Sequence, residues 1–155
     1  MKFKNPMLVV KDMNNAKQFY HNVLGLRVIS DLGENVTLTG GISLQTEKSY
    51  LGWIKKEISY QANNMELYFE EDDFDKFLSK LDNIKDINYV HSVMKHTWGQ
   101  RVVRFYDPDG HIIEVGENMK LVCKRFLESG LSIEQTAQKM DVPILFVKHC
   151  QKAKE

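Results

Sequence analysis

Phe105-Tyr106-Asp107-Pro108-Asp109-Gly110-His111-Ile112-Ile113-Glu114 reads as two β-prone arms around one tight turn. Proline presets the backbone angle such a turn needs, and glycine takes its left-handed position. The arms predict strands over 100–106 and 111–115. Upstream, 87–90 and Met65-Glu66-Leu67-Tyr68-Phe69 have the same β-prone character. Between those two, Phe74, Phe77, Leu78 and Leu81 make the stripe of an amphipathic helix, with Asp72 or Asp73 as its cap. The order is β-α-β-β-β.

The same order occurs earlier in the chain. Met7-Leu8-Val9-Val10 is a strand, Asp12 a helix cap, and Ala16, Phe19, Tyr20 and Val23 repeat the stripe about 58 positions before its second copy. Gly25 suits a helix end, and strands are expected over 26–29, 35–38 and 41–45. The fold expected is α+β, two βαβββ modules over 5–49 and 64–117 forming a curved mixed-sheet cup. Residues 50–64, with Trp53, Ile54, Ile58 and Tyr60, have some amphipathic character and are expected as a packed connector, with a short helix or a flap over the cleft as the alternative. Residues 1–117 form the main domain and 118–155 a helical extension.

Composition narrows the function. The 155 residues are 43% hydrophobic and 27% charged, ordinary for a globular chain. Lys plus Arg and Asp plus Glu balance at 21 each, which argues against a general grip on nucleic acid or membrane. Cys123 and Cys150 have no zinc or disulfide-framework spacing. The N-terminus lacks a signal-peptide apolar run, and no stretch is apolar for long enough to span a bilayer. A cytoplasmic protein is expected.

Phe19-Tyr20 followed by Val23-Leu24-Gly25-Leu26, and the Phe105–Glu114 stretch, together resemble the vicinal-oxygen-chelate superfamily of glyoxalases, bleomycin-resistance proteins and dioxygenases. The resemblance covers about residues 5–117. It implies a cup in which most of the family's enzymes hold one divalent metal that chelates vicinal oxygens. On that alignment the four ligand positions fall on Asn5, Ser43, Asn64 and Glu114, with Gln45 next to Ser43 on its face. Only Glu114 carries the family's residue. Asparagine and serine bind transition metals poorly beside imidazole or carboxylate, so no metal and no cofactor is expected. A nonstandard site drawing on Glu66, His91, His96 and His111 is the alternative. The histidines themselves read as loop residues (His91, His96), a solvent-facing turn residue (His111) and a helix-surface residue (His21).

The expected lining is Asn5, Ser43, Gln45, Asn64, Glu66, Tyr68, Trp98, Arg104 and Glu114, with Met7, Val9, Val102 and Ile112 for apolar contact. Arg104 has two readings. It is a structural ion pair with a carboxylate, or it holds a ligand carboxylate or phosphate while Glu66 or Glu114 takes an amine or acts as base. Trp98 is a wall of the pocket mouth or a plug at the sheet edge.

In the extension, Leu121, Val122, Arg125 and Phe126 predict a helix ending at Gly130. Ser132-Ile133-Glu134-Gln135 is a capping box, and Asp141-Val142-Pro143 opens a last helix with Ile144, Leu145, Val147 and Lys148. The pair resembles a helix-turn-helix, its last helix offering Lys148, His149, Gln151, Lys152 and Lys154 to nucleic acid. Cover for a sheet edge or a homodimer interface is the reading preferred to DNA contact.

The function expected is capture of a small molecule without metal, comparable in kind to bleomycin-sequestering proteins. Arg104, Glu66 and Glu114 would set polarity, and Tyr68 and Trp98 would give stacking area. A metal-dependent lyase or isomerase and a ligand-responsive DNA-binding regulator are the alternatives, so enzymatic activity stays open.

Overall fold

The computed structural model describes residues 1–152. The first module is β1 (Met7–Val10), α1 (Met13–Leu24), β2 (Val28–Asp31), β3 (Asn35–Leu38) and β4 (Ile42–Thr46). After it comes α2 (Glu47–Ile54). The second is β5 (Glu66–Glu71), α3 (Phe74–Asp82), β6 (Asn88–Lys95), β7 (Arg101–Tyr106) and β8 (Ile112–Glu117), followed by α4 (Met119–Glu128), α5 (Ile133–Met140) and α6 (Ile144–Lys152). The fold is α+β. The two sheets have equivalent strand orders, β1-β4-β3-β2 and β5-β8-β7-β6, so the sequence repeat is also a repeat of topology.

Helices α1, α3, α4 and α5 start or stop at residues suited to the role. Asp12 Oδ1 accepts from the amides of Asn14 and Asn15 at 2.9 and 3.0 Å, and Gly25 ends α1 at φ +71°. Asp73, rather than Asp72, caps α3 by accepting from the Lys76 amide at 3.1 Å. In the extension the capping box of Ser132 and Gln135 is complete. Ser129 is the C-cap of α4, with Gly130 one residue beyond it at φ +94°.

Two compact units emerge, one of residues 1–67, 83–88 and 106–112, the other of 68–82, 89–105 and 113 onward. In the first, β1 runs parallel to β4, and β3 pairs antiparallel with both β4 and β2. Met7 lies opposite Ser43 and Val9 opposite Gln45, while Asn35 and Thr37 face Gln45 and Ser43 from β3. Strand alternation therefore puts these six on one face. The other face carries Leu8, Val10, Val36, Leu38, Ile42 and Leu44, buried in a core that also holds Ala16, Tyr20 and Val23 of α1. In the second unit Phe74, Phe77 and Leu81 of α3 are buried, with Phe77 stacked on Phe105 at 6.5 Å. The extension has its own core of Val122, Cys123, Ala137, Met140, Val147 and Cys150.

Over 50–64 the alternative of a short helix is met in part, in place of the preferred packed connector: α2 takes in the first residues and leaves Trp53 exposed. Strand β6 runs five residues past the expected 90, because Val93 and Met94 carry the β pattern beyond the polar pair His91-Ser92. His91 is thus a strand residue, not a loop residue.

Candidate functional site

The residues expected to line one site fall into separate groups. In the first unit, Asn5 Nδ2 donates to Ser43 Oγ, and Thr37 Oγ1 lies 3.4 Å from the same oxygen. Asn35 Nδ2 donates to Gln45 Oε1 at 2.8 Å, and Gln45 Nε2 donates to Ser49 Oγ on α2. Ser43 and Gln45 are buried. These neutral groups have partners in one another, which removes the desolvation cost of burying them.

Asn64 and Glu66 are exposed and, with Asn63, Met65 and Ile112, line an open cleft of about 280 Å³. A second cleft, of about 310 Å³, includes Met7, Val9, Tyr50, Ile54, Asn64 and His111 in its lining. Beside it Lys11 Nζ sits 3.9 Å over the Tyr60 ring. Burial, with the Glu47 carboxylate, pushes the Tyr60 phenol up to about 12, so it stays a neutral hydroxyl at physiological pH.

The hairpin between β7 and β8 does more than turn the chain. Asp107 Oδ1 accepts from the amides of Asp109 and His111 at 3.0 and 2.8 Å. Its Oδ2 accepts from the Tyr20 hydroxyl at 2.9 Å and lies 2.8 Å from His111 Nδ1. Asp109 Oδ1 accepts from the Lys11 amide at 3.1 Å. Tyr20 of the first motif and Asp107 of the second are therefore bonded, and burial first, then Asp107, pushes the Tyr20 phenol up. The expectation that His111 faces solvent is corrected: its side chain is mostly covered and tied to Asp107. The signal in the sequence was a tyrosine on the buried helical stripe, whose hydroxyl needed a partner.

The second unit brings the other four residues into two clusters. Arg104 Nη2 forms an ion pair with Glu114 Oε2, both largely buried. Arg104 Nη1 lies 3.2 Å from His91 Nε2, and His91 Nδ1 lies 2.7 Å from the Ser92 carbonyl. Arginine only donates, so His91 carries its proton on Nδ1 and accepts at Nε2. Toward the start of β7, Trp98 Nε1 donates to Gln100 Oε1 at 3.1 Å, and Gln100 Nε2 donates to the Tyr68 hydroxyl at 2.8 Å. Tyr68 in turn donates to Glu70 at 3.0 Å. His96 stacks on Trp98 with centroids 4.0 Å apart. Gly116 lets this cluster close, since a Cβ there would stand 2.7 Å from Gln100 Nε2 and 3.3 Å from the Tyr68 ring. Gln100 was missed as a site residue, and His91 was considered only as a ligand of the alternative metal site, not as the partner of Arg104. A buried glutamine at a strand entrance leaves no periodic trace that marks its partners.

Glu117 fastens this face to the extension. Its carboxylate accepts from the Arg101 amide and Nε at 2.9 Å each, and from Arg125 Nη1 and Nη2 at 2.7 and 3.1 Å. Arg101 also forks onto Asp75 at 2.8 and 3.2 Å. Arg125 Nη2 reaches the Gly99 carbonyl at 2.8 Å, and Gln100 Nε2 reaches the Glu117 carbonyl at 2.8 Å. The α4 helix thus holds the entrance of β7, which carries Trp98 and Gln100.

The residues present do not fit a divalent transition metal. Asn5 and Ser43 are neutral and bonded to each other, Asn64 is an exposed amide, and Glu114 is paired with Arg104. Among the described residues no three of His, Cys, Asp and Glu gather into a metal-holding group. The rearranged set of Glu66, His91, His96 and His111 is not assembled, since His91 bonds Arg104, His96 stacks on Trp98 and His111 bonds Asp107.

Fold and repeat define a vicinal-oxygen-chelate protein. Residues 3–120 match the glyoxalase-like domain family, and the chain belongs to it. It is similar to the uncharacterised protein YraH of Bacillus subtilis strain 168, 30% identical over 128 residues that cover 74% of this chain and 97% of that one. It is also similar to the crystal structure of a protein of unknown function from Agrobacterium tumefaciens C58, at 37% identity, 76% and 94% coverage and a TM-score of 0.68. A glyoxalase/bleomycin resistance protein/dioxygenase from Nocardioides shares the fold, with 17% identity, coverage of 76% and 83%, and a TM-score of 0.60. The family match ends at residue 120, so almost all of the helical extension lies outside it.

Proposed function

We propose that this chain is a metal-free member of its family that binds a small molecule, as bleomycin-sequestering proteins do, in the reducing cytoplasm. The observation that carries the reading is the occupation of the family's ligand positions. Glu114, the one anionic donor, is committed to Arg104, and Asn5 and Ser43 to each other. Recruiting Glu114 to a metal would strip Arg104 of its partner in a largely buried place, a change that costs several kcal/mol by order of magnitude.

The Arg104–Glu114 pair has no net charge, so the face it belongs to favours a neutral or zwitterionic ligand over a strongly anionic one. Tyr68 and Trp98 add flat amphipathic area with their polar edges already bonded to Gln100. Asn64 and Glu66 add an exposed amide and carboxylate at their own cleft. Asn5, Ser43 and Gln45 act mainly by holding their sheet face in place. DNA contact by the tail is disfavoured by α6, where Ile144 and Leu145 are 46% and 62% exposed beside Lys148 and His149. Lys154, also expected to take part, lies outside the described residues.

The deciding measurement is the metal content of untagged protein, as purified and after incubation with nickel, zinc, manganese or ferrous iron. The reading expects no stoichiometric retention. Near-stoichiometric metal that disappears in Glu114→Ala would overturn it. A thermal-shift screen of zwitterionic and aromatic small molecules then follows, with Arg104→Ala expected to weaken any binding found.

A further inference from the structure

The turn between β6 and β7 is fastened from within and from α4. The His96 amide donates to the Gln100 carbonyl at 2.8 Å, and the Gly99 amide to the His96 carbonyl at 2.9 Å. Gly99, at φ +91°, lies against the Phe126 ring of α4, which a Cβ there would overlap. Arg125, also on α4, holds the Gly99 carbonyl. Trp98 is thereby fixed in place. Its Nε1 donates to Gln100, and His96 covers one ring face at an interplanar angle of 10°. The rest of the ring borders an open cavity of about 720 Å³.

The opposite wall of that cavity is α5. Leu131, Gln135, Gln138 and Lys139 follow at the spacing of one helix face, and Asp141 caps its end. The other face buries Thr136, Ala137 and Met140, the last two in the core that α5 shares with α4 and α6. Helix α4 therefore braces both walls, one through Phe126 and Arg125 and the other through Val122 and Cys123. The cavity is formed before any ligand arrives. The family match ends at residue 120, so this wall belongs to the extension.

An indole plane, two side-chain amides and one charge of each sign specify a kind of ligand. Gln135 Oε1 already accepts from the Ser132 amide at 2.9 Å, which leaves its nitrogen to donate. Gln138 is exposed and brings a carbonyl and an amino group side by side. That pair matches the adjacent donor and acceptor on the edge of a purine, and a purine ring stacks on an aromatic plane. Lys139 and Asp141 cancel in charge, while the carbonyl end of α5 adds partial negative charge beside them. A phosphate is disfavoured there. We propose that the cavity between Trp98 and α5 binds a neutral purine base or nucleoside, its ring packed on Trp98 and its edge bonded to Gln138. The site goes beyond metal-free capture on the Arg104 face and shares only Trp98 with it.

Trp53 and Trp98 are the chain's two tryptophans, and Trp53 is 65% exposed. Trp53→Phe therefore makes Trp98 the sole indole reporter. Adenosine and inosine quench its emission, excited beyond the purine absorption band, and saturate with a dissociation constant of about 0.1–1 mM, the range for a ligand of this size. Titration calorimetry of the unsubstituted chain gives the same constant. Adenosine monophosphate binds roughly threefold more weakly, its phosphate meeting the carbonyl end of α5. Gln138→Ala weakens adenosine about fivefold or more, with circular dichroism as the check on folding. The absence of saturable quenching by either nucleoside up to about 5 mM overturns the proposal. So does quenching that Gln138→Ala leaves unchanged, or a monophosphate that binds more tightly than the nucleoside. Binding lost in Arg104→Ala but not in Gln138→Ala puts the ligand on the Arg104 face, which refutes this site and leaves the metal-free reading standing. Metal retention would refute that reading alone.

Discussion

Glu117→Gln should uncouple the extension from the β7 entrance, at a cost that the geometry sets. The carboxylate is 8% exposed and takes four hydrogen bonds from two arginines. Burial alone would raise its proton affinity, but the bonds from Arg125 and Arg101 more than offset this and hold it at about 2, against an ordinary 4.5. That depression corresponds to about 3 kcal/mol, reduced toward ~2 because both arginines are partly exposed to screening solvent. The group holds its proton less tightly folded than unfolded. Its contribution is therefore complete above the unfolded value of 4.5 and is lost as pH falls through about 2. Urea denaturation at pH 7 should show Glu117→Gln less stable by ~2 kcal/mol or somewhat more. At pH near 2 the variant and the wild type should converge. A variant within ~0.5 kcal/mol of wild type at pH 7, or a gap that persists unchanged in acid, would refute the reasoning.

Other substitutions follow from single contacts. Gly116→Ala places a methyl within 2.7 Å of Gln100 Nε2, so it should move Tyr68 and Trp98 and alter the near-ultraviolet circular dichroism while leaving the far-ultraviolet spectrum intact. Tyr20→Phe leaves Asp107 one donor short in a buried place and should destabilise the fold by about 1–3 kcal/mol in thermal or urea unfolding. Ser132→Ala removes the side-chain half of the capping box and should cost about 1 kcal/mol, read as lost protection of α5 amides in hydrogen exchange.

The architecture was legible because its signals are local and repeated. Ala16, Tyr20 and Val23 and their counterparts Phe74 and Leu81 mark helices by period alone, and Asp12, Gly25 and Ser132 mark ends by backbone chemistry. β6 was read short because His91 and Ser92 interrupt an apolar run, although an edge strand tolerates polar residues on either face. Over α2 the sequence leaves a short helix open but favours a connector, because none of its residues is buried and the apolar stripe is weak. Periodicity reports burial, and an element that buries little leaves little trace.

The candidate site was legible in residue type and less so in grouping. Alternation placed Ser43 and Gln45 correctly on the face of Met7 and Val9, and the expected Arg104–carboxylate pair is present with Glu114. What alternation cannot carry is which polar group satisfies which. Asn5 closes on Ser43, His91 supports Arg104, and Gln100 links Trp98 to Tyr68, each joining positions far apart in sequence or on neighbouring strands. Those partnerships decide the chemistry. A glutamate counted alone at position 114 looks like a surviving metal ligand, yet its value as a donor depends on whether its charge is already matched. With Arg104 beside it, the carboxylate offers a metal less than its formal charge suggests.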